Sequence, residues 1–536
     1  MPKVCGKLTK IMQRFLEKLD NLASIKSENA LSRWLERVAF IFMILMFTSA
    51  PHSIAATQIA WLTGMFIWVV RMFLKPRPRL VRTPLDIALW VFFAWSIISS
   101  IFSYDPLTSL DKLRNVALFL IFYYVVNVVK TKRAVIFLAF AIITSTMVSV
   151  VWTPIERIFG RGVEIVGVLK ESPLSKAILL DGDTLLKANN VKIKTPDDLV
   201  TEMQRVETTE LFVYRPDFYF KVKVNRADLL GGANALAQIG VTDWKRSRNW
   251  RSAGFYGHYT TFAEVLQLIA SLTFGLLVAS LSAKFAPQKR TDAEKNQRTT
   301  GDWRRRLILA LCVAGMSFAL LLTVTRASQL AFLISATVMV ILIGNRKMIL
   351  TLAAIILPIA LIGLFFLQQS RQVGFFDAND ASTRDRQTFY RKGFDLWTSN
   401  ARNFTLGVGM DSTKRYVKEW NLYDNGGMPM GHFHSTPLQL LVERGLPGLL
   451  LWLWVLLIYG QTLLKVQSSK DEARRTTDWQ TRGILLGCFG GLVGFVTSGL
   501  VHFNLGDAEV AMVFFMLMGL SVVLAINKSE QSAETS

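Results

Sequence analysis

The chain has 536 residues, 51% of them hydrophobic, and its mean hydropathy is +0.34; with apolar runs of about 18 to 25 residues it carries more apolar surface than one soluble core can bury. The net charge of +22 lies in short Lys- and Arg-rich segments between those runs, which argues for membrane topology and against nucleic-acid binding. Cys5, Cys312 and Cys488 sit in the N-terminal segment and inside two apolar runs, a distribution that speaks against a structural disulfide or a metal cluster.

The N-terminus opens on a basic, amphipathic stretch through Arg37, without the short apolar run and small-residue cleavage site of a removable signal peptide. Residues 1–36 are expected to be a cytoplasmic amphipathic segment. Twelve membrane spans are predicted, at 37–50, 54–72, 85–102, 113–129, 133–152, 260–282, 307–324, 327–344, 348–367, 437–464, 483–501 and 507–526. The fold class is thus an all-α polytopic membrane protein of about twelve helices. With the N-terminus inside, the connections at 71–82, 130–133, 284–306, 345–347 and 465–482 become cytoplasmic, and each is rich in Lys or Arg. That agreement orients the chain in a bacterial inner membrane with both termini cytoplasmic, 527–536 being the tail. The same count puts residues 153–259 and 368–436 in the periplasm, and loops of that length fold or carry function.

Within the first of these, residues 160–228 alternate short apolar strands with one amphipathic helix. Ser172-Pro173 precedes a short helix, Gly182-Asp183 precedes a strand at Thr184 to Ala188, Asn189-Asn190 makes a turn, and Thr195 caps a helix that begins Pro196-Asp197-Asp198. The segment resembles a bacterial PDZ domain, a small α+β fold. The resemblance implies peptide capture by strand addition, hence an envelope protein as partner. The carboxylate-holding loop would lie near Gly160 to Gly167, where the usual alternation of glycine and apolar residues is missing; the other reading is a folded insert that braces or docks by another surface.

The most informative stretch is Gly431 to Leu450, GHFHSTPLQLLVERGLPGLL. His434-Ser435, Leu438-Gln439, and Glu443, Gly445 and Gly448 opening a long apolar helix resemble the C-terminal signature of the O-antigen ligase and O-antigen polymerase superfamily. Arg251 in RSAGFYGHYTTFAE, Arg326 in TVTRASQLAF, and the stretch from Arg386 to LGVGMDS add to the likeness, which runs from 250 to 465 within a ligase-like domain at 250–526. Membership implies a GT-C-like glycosyltransferase that takes a polyprenyl-diphosphate-linked glycan and, without cofactor or metal and with inversion, attaches it to an acceptor sugar such as that of lipid A-core. It also implies His434 as catalytic base, with Arg251, Arg326, Arg386 and His432 binding substrate.

Read physically, Thr436-Pro437-Leu438-Gln439 is a capping box with Pro at the first helical position, which sets His434 at a positive helix end. That field favours the neutral imidazole, the form able to accept a proton, and it attracts a diphosphate. Guanidinium groups suit a departing diphosphate. Glu443, a charge inside an apolar run, is expected to bond another helix or face a cavity. No HExxH, GxSxG or Walker loop is present, so metalloprotease, serine hydrolase and nucleotide-driven pump lack their machinery. An O-antigen polymerase and a protein O-oligosaccharyltransferase share the motif and remain open; outside enzymes, a transporter or an envelope scaffold does.

Overall fold

The computed structural model describes residues 2–215, 218–248, 250–285, 292–343, 381–423, 431–468 and 479–535. It forms two compact units, one from residues 1–149 and 255–536 and one from 150–254.

Among the described residues, eight helices are long and apolar enough to cross a membrane: Ile54–Met72, Lys132–Phe159, Tyr259–Ser282, Trp303–Leu322, Arg326–Ile343, Thr436–Lys465, Trp479–Gly499 and Ala508–Asn527. Each covers one of the expected spans to within two residues at either end of that span, so the chain is a multi-pass membrane protein. Three further expected spans differ. The run at 37–50 belongs to the helix Ala30–Ser49, whose first half carries Arg33, Glu36 and Arg37 behind an Asn29 cap. The run at 85–102 is the 16-residue helix Asp86–Ile101. The run at 113–129 is broken into Leu113–Val116, a 3-10 turn at Ala117–Phe119 and Leu120–Val128; with neither Pro nor Gly there, nothing local explains the break. The twelfth, 348–367, lies outside the described residues.

The helices Tyr259–Phe285 and Trp479–Gly499 pack at backbone distance, because a Cβ on Gly275 would overlap the Gly487 backbone. Close approach of small residues is the usual adhesive between helices in lipid, where apolar burial drives little.

The smaller unit is built on β1 (Arg161–Val168), β2 (Thr184–Ala188), β3 (Val191–Lys192), β4 (Thr208–Arg215), β5 (Phe218–Asn225) and β6 (Val241–Ser247). All pairings are antiparallel, in the order β5-β4-β2-β1-β6, with β3 on β2. Asn189 and Asn190 both take positive φ, 47° and 66°, the geometry that closes a tight hairpin between Ala188 and Val191. Thr195 caps the helix Pro196–Arg205 in a full capping box with Asp198. That helix buries Leu199 and Met203 against Ile165, Leu185 and Val213.

Two expectations about this unit are corrected. Residues near Gly160 to Gly167 form strand β1 rather than a binding loop, with an irregularity between Arg161 and Glu164 that Gly162 at φ 60° accommodates. The folded unit also extends past 228, through the helix Ala235–Ile239 and β6, which pairs with β1. The charged run in VTDWKRS hides β6, where only Val241 and Ser247 are buried.

Candidate active site

The helix that begins at Thr436 is capped one residue earlier than the capping-box pattern implies. Ser435 accepts the Leu438 N–H on its hydroxyl at 3.4 Å and the Gln439 N–H on its carbonyl at 2.9 Å. Thr436 is instead engaged by the 502–504 segment: its N–H donates to the His502 carbonyl at 3.0 Å, and its hydroxyl to Asn504 Oδ1 at 2.8 Å. Gln439 still reaches back, its Oε1 accepting the Phe433 N–H at 2.8 Å. Its amide group donates to Glu443 Oε1, also at 2.8 Å.

Two motif pieces that lie far apart in the chain are joined here. The helix Thr436–Ser468 is interrupted at Gly445, φ 67° and ψ −176°, a conformation that glycine alone adopts cheaply. The interruption frees carbonyls at residues 442–444, and neighbours satisfy them. Val408 and Gly409 donate backbone N–H groups to Val442 and Glu443 at 2.8 and 3.0 Å. The Ser99 hydroxyl donates to the Glu443 carbonyl at 3.1 Å and the Trp95 indole to the Arg444 carbonyl at 2.8 Å. A Cβ on Gly407 would overlap the Glu443 backbone, and one on Gly445 the Thr405 carbonyl. The Glu443 carboxylate completes the joint by accepting the Asp411 N–H at 3.0 Å. As expected for a charge in an apolar run, Glu443 bonds another segment and also lines a cavity.

Immediately before this helix, His434 sits at φ 50°, left-handed backbone that few non-glycine residues occupy. Its position is overdetermined. Tyr390 donates its hydroxyl to the His434 carbonyl at 3.2 Å and shares it with that of Leu500 at 3.3 Å. The His434 N–H donates to His432 Nδ1 at 3.2 Å, so neutral His432 carries its proton on Nε2. The two imidazole centroids are 4.2 Å apart, and Phe389 stacks on the His434 ring at 6.1 Å. Phe433 between them is fully buried among Phe389, Trp397, Val408 and Tyr423.

Burial is the first cause that pushes His434 down to about 3, with His432 and then Arg386 adding to it. Burial likewise lowers His432 to about 4, followed by His502 and Lys414. Both rings are neutral at physiological pH, and desolvation rather than the helix end is the leading reason.

Of the sequence-derived candidates, His432, His434 and Arg386 come together, Arg386 lying half-buried on the helix Ala381–Thr398. Arg326 opens the helix Arg326–Ile343, flanked by buried Thr323 and Thr325. Arg251 falls in the other unit, where its backbone amide donates to the Tyr214 hydroxyl. Sequence reasoning missed Tyr390, His502 and Asn504. His502 Nδ1 stands 2.9 Å from Glu264 Oε1, and Asn504 donates to the Phe495 carbonyl and the Ser498 hydroxyl at 2.7 and 3.1 Å. One signal was available, since the chain has five histidines and four of them, His258, His432, His434 and His502, gather here.

Residues 311–453 match the family model of the O-antigen ligases, so this part of the chain is similar to that family. The match contains Arg326, Arg386, His432 and His434 and ends before the last two apolar helices; Arg251 precedes it. A comparison with curated proteins finds no match.

Proposed function

We propose that this chain, similar to the O-antigen ligases over residues 311–453, transfers a polyprenyl-diphosphate-linked glycan to an acceptor sugar of lipid A-core at the outer face of the bacterial inner membrane. The observation that carries the reading is the His432–His434 pair, neutral and desolvated, with His434 held on left-handed backbone at the head of the Thr436 helix. An acceptor hydroxyl attacks the anomeric carbon and its proton passes to His434. The new glycosidic bond forms as the bond from that carbon to the diphosphate oxygen breaks, so the configuration inverts. The polyprenyl diphosphate leaves with the electron pair, and Arg386 and Arg326 offset its charge. No metal is required, because the leaving group is already activated.

A base near 3 is weak by itself. An anionic donor beside the ring favours the imidazolium and raises that value, so base strength rises only once donor is bound. Both termini are cytoplasmic in this reading, and the unit at 150–254 acts as a periplasmic PDZ-like docking module.

The test is the lipopolysaccharide gel profile of a strain lacking the protein, complemented with wild type or His434→Ala at matched membrane abundance. Unsubstituted core with unattached lipid-linked polymer, corrected by wild type alone, supports a ligase. Core bearing one repeat unit would make the protein a polymerase, and a normal ladder from His434→Ala would remove that residue from the chemistry.

A further inference from the structure

Beside the histidine pair lies a cavity of about 250 Å³ whose wall includes His432, Glu443 and a residue that neither motif pattern nor mechanism has used, Arg444. Arg444 is only 5% exposed. Its Nη2 approaches Met410 Sδ at 3.0 Å and its guanidinium stands 5.4 Å from the Phe92 ring, while Nε and Nη1 have no hydrogen-bond partner among the described residues. A buried guanidinium with two unmet donors is costly unless something anionic meets it. Two more cations share the wall, Lys112 and Lys414, which hold Asp411 between them at 3.1 and 2.8 Å. The stem of Lys414 lies so close to Gly431 that a Cβ there would overlap it, which keeps the ammonium next to His432. Three cations therefore face two carboxylates, and Glu443 is already engaged by Gln439 and Asp411. Phe92, Phe119 and Trp452 line the same cavity. A wall that is cationic in one part and aromatic in another fits an amphiphile with a polyanionic head.

Resting on the glycan-transfer reading, we propose that this cavity receives the diphosphate of the lipid-linked donor. Arg444, Lys112 and Lys414 hold its oxygens, and the first isoprene segment lies on Phe92, Phe119 and Trp452. The arrangement sets the scissile bond at the cavity edge where His432 and His434 meet, and it gives Arg444 the acceptor its two nitrogens lack.

The experiment measures binding of a sugar-free polyprenyl diphosphate to the full chain in nanodiscs, for wild type, Arg444→Gln, Arg444→Lys, the double variant Lys112→Ala/Lys414→Ala, and His434→Ala. Expected are a Kd raised about tenfold or more in Arg444→Gln and in the double variant, partial recovery in Arg444→Lys, and unchanged binding without turnover in His434→Ala. Inorganic diphosphate should displace the probe, and phosphatidylglycerol at the same concentration should not. Binding within about twofold of wild type in both cation variants would overturn the proposal, as would displacement by phosphatidylglycerol matching that by polyprenyl diphosphate, or failure of inorganic diphosphate to compete. Should Arg444→Gln fail to fold, the double variant decides, since Lys112 and Lys414 are 29% and 54% exposed. Cation-dependent binding in a protein that transfers no glycan would sink the functional reading and leave this site standing; transfer with cation-independent binding would do the reverse.

Discussion

His434 spends conformational energy to stand where it does. A non-glycine residue in the left-handed region costs on the order of 1–3 kcal/mol, and Tyr390, His432 and Phe389 hold it there. Asparagine tolerates that backbone better than most residues, so His434→Asn is expected to insert and melt like wild type while losing nearly all transfer; a folded, active Asn variant would disprove the base assignment. The lowered values of the two histidines also predict a pH dependence of stability. Unfolded imidazoles bind protons below 6.5, but the folded ones wait until about 4 and about 3. Between those limits the unfolded state holds more protons, so stability falls as pH falls, by about 1 kcal/mol per histidine at pH 5.5. The melting temperature in detergent should drop from pH 7 to 5.5 in wild type and drop less in His432→Asn/His434→Asn; equal slopes would contradict the burial. At this scale the sequence pointed to His434 as a candidate because the motif is contiguous. His502 and Asn504 were hidden because only tertiary packing brings their segment onto Thr436. Arg444 was hidden because an arginine next to a glutamate reads as an ordinary charged pair until its burial is seen.

At the scale of elements, the break at Gly445 is the feature on which the site rests, since the carbonyls it frees are what the Gly407-Val408-Gly409 loop pairs with. Gly445→Ala has to overcome both the left-handed strain and the overlap with Thr405. A loss of 3 kcal/mol or more is expected, visible as reduced membrane abundance and a lower melting temperature, and Gly407→Ala should behave similarly. Trp95→Phe is milder: it deletes one hydrogen bond to a buried carbonyl, about 1–2 kcal/mol. Wild-type stability in Gly445→Ala would show that the joint is dispensable. Hydropathy located eight helices long and apolar enough to cross a membrane because a bilayer demands long apolar runs. It could not foresee that residues 113–128 break into three pieces, nor that the Thr436 helix splits at Gly445, because periodicity does not distinguish a continuous helix from two short ones of the same composition. The cap was misplaced by one residue because Ser435 and Thr436 are equally good cap types and only the competing bonds from 502–504 decide between them.

For the whole molecule, turn chemistry made the interior of the smaller unit legible: the Asn189-Asn190 hairpin and the Thr195 cap stand where their residue types put them. Its far boundary was not legible, because β6 has little apolar pattern and owes its place to pairing with β1. Excising 163–224 would therefore remove the sheet's centre and leave β6 unpaired, and that deletion is expected to be degraded. Replacing residues 161–247 with a short Gly-Ser linker should instead yield a stably inserted protein, and the lipopolysaccharide ladder it supports reads out whether the unit contributes to transfer or only to recruitment. A degraded linker variant would show that the membrane portion depends on the insert.

Arg161 and Ser247 are cross-strand partners on adjacent antiparallel strands, so the chain enters and leaves the sheet of the smaller unit through points only about 5 Å apart. A module with its entrance beside its exit behaves as a cartridge: a lineage can gain, lose or exchange it in one event, and an experimenter can plug a fluorescent reporter into the same socket without retuning any transmembrane helix.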